Sequence, residues 1–250
     1  MRPLRAMAPP SSQRLSVQGL TDPVEVRRHP AARRMTLRVS RTTRSVIVTL
    51  PVSCDLAQAG TFLSTHLDWV RERLGNLPEH IPFSAGSVIP LRGAPHVIVE
   101  RGVSRRAAVV ETTTTVDGKR ALSVSGQAEH VARRLRDWLA QEAACDLGER
   151  VGWHAQNLGL KAGRVTVRDQ KSRWGSCSST GALSFSWRLI MAPDFVLDYV
   201  AAHEVAHLVE MNHSDAFWSA VEKALPDMAR GRAWLKAHGR ELMIYGAEGV

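Results

Sequence analysis

The sequence predicts an α+β chain: a β-rich region over residues 20–126, then a mostly helical region over residues 127–245. Three observations carry that prediction. Before residue 126, apolar and polar residues alternate with period two in short runs between turn signals. Near Gln127 the apolar spacing changes to the helical period. From Pro193 to about Leu242 three further helical stretches follow, each marked by a cap or a proline.

Taken in order, residues 1–19 are rich in Pro, Ser and Arg and are expected to form a disordered basic tail. Met35–Ser40 and Ser45–Leu50 alternate and read as a hairpin about Arg41-Thr-Thr-Arg44. Pro51 to Asp55 punctuate it, and Phe62, Leu63, Leu67, Val70 and Leu74 then mark one face of a helix from Leu56 to Leu74. Two short β pairs follow, Val88–Leu91 with Val97–Val99 and Ala107–Thr113 with Ala121–Ser125, the second across the turn signal Asp117-Gly118. Val131, Leu135, Trp138 and Leu139 open a long helix reaching about Asn157, which Gly159 and Gly163 break. A strand at Arg164–Arg168 and a loop at Asp169–Ser179 come next. Gly181–Ile190 alternates and is expected to be one strand. Pro193 and Asp194 open a helix expected to run through Glu210. Ser214 caps another over Asp215–Ala224, and a last helix is expected over Met228–Leu242.

Composition narrows the function classes. The 250 residues are 44% hydrophobic and 23% charged, enough apolar material for a core. No apolar run of membrane-spanning length exists, and Met1–Val17 lacks the apolar stretch of a signal peptide. Three widely spaced cysteines, Cys54, Cys145 and Cys177, argue against a disulfide framework and for a reducing cytoplasm. The net charge is +9, and residues 1–50 hold ten Arg against only Asp22 and Glu25. Such a field can draw nucleic acid or another acidic partner; a solvated basic face is the plainer reading. The first aromatic residue is Phe62, so no stacking platform for single strands accompanies these Arg. Neither a GxGxxG nor a P-loop motif occurs.

The chemistry concentrates at His203-Glu-Val-Ala-His207. Histidines at i and i+4 of a helix stand about 5–6 Å apart at Cβ, close enough to share one zinc ion at about 2.0–2.1 Å. Glu204, on the flank of that face, can take a proton from a metal-bound water as it attacks a carbonyl. A catalytic zinc needs a third protein ligand. Asn212 tolerates the left-handed conformation that ends a helix, so the chain can reverse there and return His213 to the metal. Glu210 is a rival held on the helix, and Glu222 and Glu241 are carboxylate alternatives. His130, His154 and His238 read as solvated or core-satisfied.

Lys171-Ser-Arg-Trp-Gly-Ser-Cys-Ser178, a strand, HEVAH, Asn212-His213-Ser214 and Phe217-Trp218 together resemble the YgjP-like metallopeptidases, relatives of the SprT-like proteases. The resemblance covers about residues 125–245; the β-rich part is similar only in general layout. It implies a zincin-like catalytic region with a small sheet and an HExxH active-site helix. It further implies zinc on His203, His207 and His213, and Glu204 as base. It says less about the reaction, because the family's substrates are mostly undefined.

Around that core, Arg173 is a candidate contact for substrate or for the oxyanion, with a role in satisfying carbonyls as the plainer reading. The strand Ala182–Ile190 could pair with an extended substrate. Cys177 reads as a small buried thiol and Tyr199 as core packing. The leading expectation is a zinc-dependent metallopeptidase acting on peptide or polypeptide. The alternative is a zinc-dependent hydrolase of a phosphate-containing small molecule such as a nucleotide. A structural zinc site is disfavoured, since a closed site needs four ligands and no base.

Overall fold

The structure, a computed structural model, describes residues 12–40, 44–103, 108–170 and 172–246. The chain is α+β, and among the described residues it forms three small sheets and six α-helices. It divides into two compact units, one of residues up to Glu79 and one from His80 on.

In the first unit, strands β1 (Ser12–Leu15), β2 (Val24–Arg28), β3 (Thr36–Val39) and β4 (Val46–Leu50) pair in the order β1-β2-β4-β3. β3 and β4 are antiparallel, and β2 joins β4 in parallel. The turn expected about residues 41–43 lies outside the described residues, as does the tail over 1–11. Within the stretch expected to be disordered, Ser12–Leu15 is a strand held by backbone pairing to β2. Val24, Val26, Val46, Val48 and Leu50 form the buried side of the sheet, and helices α1 (Leu56–Thr65) and α2 (Leu67–Gly75) add Ala59, Leu63 and Val70 to that core.

The expected single helix over 56–74 is two. Asp55 and Gln58 form a reciprocal capping box at the start of α1. At its end Thr65 Oγ1 donates to the Phe62 carbonyl at 2.8 Å, and His66 Nδ1 lies 2.8 Å from that same oxygen. These side chains compete with the helix ladder and interrupt it at His66. Part of the Arg field is consumed by the fold itself. Arg28 donates to the carbonyls of Val52 and Cys54, Arg44 to those of Leu74, Leu77 and Pro78, and Arg27 pairs with Glu25.

The second unit begins with β5 (Val88–Leu91), β6 (Ala94–Arg101), β7 (Val110–Thr114) and β8 (Arg120–Ser125), in the order β5-β6-β8-β7. α3 (Ala128–Asn157) buries Val131, Leu135, Leu139, Ala143, Leu147 and Val151 along one face. That face and Ile89, Leu91, Ile98, Leu122 and Val124 of the sheet share one core with the helices that follow.

A three-stranded sheet of β9 (Val165–Arg168), β10 (Gly175–Cys177) and β11 (Leu183–Ser186) has β11 in the middle. The strand expected through Ile190 stops at Ser186, and Trp187–Met191 turn into a 3-10 helix. All five residues of that turn are buried, Arg188 included, so the alternation past Ser186 does not sort an inner from an outer face.

α4 (Asp194–Ala206), α5 (Asp215–Ala224) and α6 (Met228–His238) complete the unit, with a second 3-10 helix over Gly239–Ile244. α4 is therefore shorter than the helix expected to reach Glu210, and α6 shorter than the one expected to reach Leu242.

Two sets of contacts position α4. The β5–β6 turn carries Arg92 at φ +49° and Gly93 at +78°. Their amides donate to the carbonyls of Ile190 and Met191, at 2.7 and 3.1 Å, just before α4 begins. A Cβ on Gly93 would come 2.9 Å from Pro193 Cγ, so that approach needs glycine. The Arg92 guanidinium meanwhile grips Asp146 and Glu142 of α3. Farther along, Asp198 of α4 accepts from the fully buried His154 of α3 at 2.8 Å and pairs with Arg150 at 3.3 Å.

Candidate metal centre

α4 holds His203, and His207 caps its C-terminal end, their ring centres 5.0 Å apart. The helix ends there. Leu208, Val209 and Glu210 amides turn back onto the carbonyls of Val205 and Ala206. Asn212 is not left-handed; instead its side-chain carbonyl accepts from the Ser214 amide at 2.9 Å. Ser214 in turn caps α5 through the Phe217 amide. His213 is thus held between an Asn turn and a helix cap, and its Nε2 lies 3.2 Å from His203 Nε2.

One nitrogen from each of His203, His207 and His213 falls within 4.8 Å of the others. His207 Nδ1 faces the Glu210 carbonyl at 3.0 Å. A carbonyl only accepts, so that nitrogen carries the proton and Nε2 keeps its lone pair. Burial, then the neighbouring His207, His213 and Arg232, hold the His203 pKa down at about 4. Burial lowers His207 as well. Neutral imidazoles are the form that binds metal. Two nitrogens each about 2.0–2.1 Å from one tetrahedral zinc stand roughly 3.3–3.4 Å apart, close to the 3.2 Å observed. The donor set fits a metal ion.

Glu204 lies beside the cluster and is buried, with Oε2 shielded and without a hydrogen-bond partner among the described residues. Burial pushes its carboxyl up to about 7, against the pull of Arg173. The edge strand β10 presses Gly175 onto this carboxylate: a Cβ there would stand 2.5 Å from Oε1 and 2.7 Å from Cδ. Of the alternatives for the third ligand, Glu210 accepts from the Asn212 amide, Glu241 meets His238, and Glu222 is exposed. None joins the cluster.

Sequence reasoning gave Phe217 no role of its own. It is completely buried, and its ring centre lies 4.9, 4.4 and 4.7 Å from those of His203, His207 and His213. It is the apolar floor under all three imidazoles. Trp218 stands 5.9 Å from both His203 and His213. The phenylalanine follows its cap by three residues, which is the spacing of a core position in an amphipathic helix; only the fold shows what it packs against.

The remaining candidates sort by contact. Arg173 is exposed and acts on Glu204. Cys177 is half-buried and free, its thiol raised by burial and by Glu204. Tyr199 packs against His203 at 5.9 Å. Lys171 lies outside the described residues. The expected pairing of a substrate with Ala182–Ile190 is overturned, because β11 has β10 on one side and β9 on the other. β10 is the edge strand beside Glu204.

The family described as YgjP-like, metallopeptidase domain, matches residues 33–238. No curated protein matches. Among solved structures, the metallopeptidase zymogen of Pyrococcus abyssi abylysin is similar at 23% identity and a TM-score of 0.33, over 36% of this chain and 93% of that one. A likeness that slight carries nothing further for this chain.

Proposed function

The chain belongs to the YgjP-like metallopeptidase family, and from that premise we propose that it is a zinc-dependent peptidase of zincin-like design. His203, His207 and His213 hold the metal, and Glu204 is the general base. The convergence of three imidazoles beside a buried carboxylate supports this most strongly. Bound zinc would supply Lewis acidity, bringing the pKa of a coordinated water towards ~7. Glu204 takes up the proton released as water adds to the peptide carbonyl, then returns it to the leaving amine. Arg173 faces the same carboxylate and is placed to meet substrate or developing negative charge. Phe217 keeps water from the back of the imidazoles.

The family favours an amide over the phosphate ester of the alternative reading. The discriminating experiment incubates zinc-loaded protein with unfolded polypeptides and, separately, with nucleotides. Cleavage of polypeptide, lost on chelation and restored by zinc, is the expected result. Release of phosphate without peptide cleavage would replace the peptidase by the nucleotide hydrolase.

A further inference from the structure

α6 meets α4 at Gly231, where a Cβ would overlap Tyr199 and stand 2.9 Å from the Phe195 carbonyl oxygen. That close approach sets the two residues beside it. The Arg230 guanidinium lies 3.9 Å over the Phe195 ring, and that of Arg232 lies 4.2 Å over Trp218. Trp218 is the ring that stands 5.9 Å from His203 and His213. Arg232 is therefore at most about 10 Å from both imidazoles, a span that an extended peptide covers in about three residues.

Some guanidiniums of this chain are paired: Arg27, Arg92, Arg101, Arg150 and Arg188 each meet a carboxylate. Among the described residues Arg232 meets none, and it is exposed. Its planar fork of donors matches a carboxylate in two parallel hydrogen bonds. Stacking on the indole holds that fork in one plane, which reduces the ordering needed when a partner arrives.

We propose that Arg232 is a specificity residue that receives a carboxylate of the substrate within about three residues of the scissile bond; this rests on the peptidase reading above. The carboxylate belongs either to an Asp or Glu side chain or to the substrate's own C-terminus.

The test is a binding measurement that needs no turnover. Hexapeptides differing only by Asp or Asn at each position in turn, with a free or an amidated C-terminus, are titrated calorimetrically into zinc-loaded protein carrying Glu204→Gln. The expected result is that the carboxylate form binds about 10-fold or more tightly than its amide at one position. An effect at an internal position assigns a side chain; an effect of amidation assigns the C-terminus. Arg232→Gln, with an unchanged melting temperature, should remove the discrimination, and Arg232→Lys should keep part of it. Equal binding of acid and amide peptides, or discrimination that survives Arg232→Gln, overturns the proposal. Peptide cleavage by the protein without Glu204→Gln is scored separately. Carboxylate discrimination with no cleavage of any peptide would sink the peptidase reading and leave Arg232 as a carboxylate receptor.

Discussion

At the scale of residues, the centre depends on close approaches that leave no room for extra atoms. Gly175 touches the Glu204 carboxylate, so Gly175→Ala must displace it. Misplacing a catalytic group by about 1 Å can cost about 10²-fold in rate. Turnover of Gly175→Ala should fall by that order while zinc content stays at one per chain; a near-normal kcat would show that Glu204 has slack. Each of His203→Ala, His207→Ala and His213→Ala should lose the metal, since two protein donors are fewer than a catalytic site keeps. Full zinc occupancy in His213→Ala, read by elemental analysis, would return Glu222 and Glu241 to consideration. Phe217→Ala opens a cavity beneath all three imidazoles. A loss of about 3–5 kcal/mol is expected from chemical denaturation, together with weaker metal binding.

At the scale of elements, the segments most readable from sequence were those whose periodicity the fold leaves intact. α3 presents Val131, Leu135 and Leu139 as its apolar spacing requires, and α5 starts at its Ser214 cap. His203 to Ala206 lie on the helix that Pro193 opens, and His207 caps it. What could not be read depended on contacts that the apolar pattern does not show. Residues 187–191 are buried on every side, so no face could be inferred, and the three residues of β10 become a strand only by pairing with β11. The break at His66 rests on side-chain competition for one carbonyl. The fit of α6 to α4 hinges on Gly231, whose meaning appears only once Tyr199 is opposite it.

His154, read from sequence as solvated or core-satisfied, is the second of these. Both its ring nitrogens face acceptors, the Asp198 carboxylate and the Ala224 carbonyl, tying α3 to α4. Burial alone would raise the Asp198 carboxyl, but the hydrogen bond from His154 and the charges of His154 and Arg150 hold it below its usual value. A carboxyl lowered in the folded state stabilises above its unfolded pKa, and that contribution fades as pH falls through the folded one. Asp198→Asn should therefore destabilise by about 3 kcal/mol at neutral pH, with the deficit shrinking in acid. An unchanged denaturation midpoint at pH 7 would make the α3–α4 tie incidental.

At the scale of the whole molecule, charge and chemistry are distributed unevenly along the chain. Arg14, Arg33, Arg34 and Arg38 are exposed in the first unit, while the histidine cluster belongs to the second. No described helix is long and apolar enough to cross a membrane. If those Arg steer acidic partners, KM for an acidic substrate should rise steeply with salt while kcat stays constant. A salt-independent KM would make them a solvated face. The proposed mechanism needs Glu204 for turnover and not for metal. Glu204→Gln keeps the size of the side chain and removes its ability to accept a proton. Zinc content and kcat measured together on this one variant are the most direct test: one zinc per chain with kcat reduced by about 10²–10⁴-fold is the predicted result. Near-normal turnover with zinc in place would contradict the mechanism, and loss of the zinc would make Glu204 a ligand or a folding residue instead.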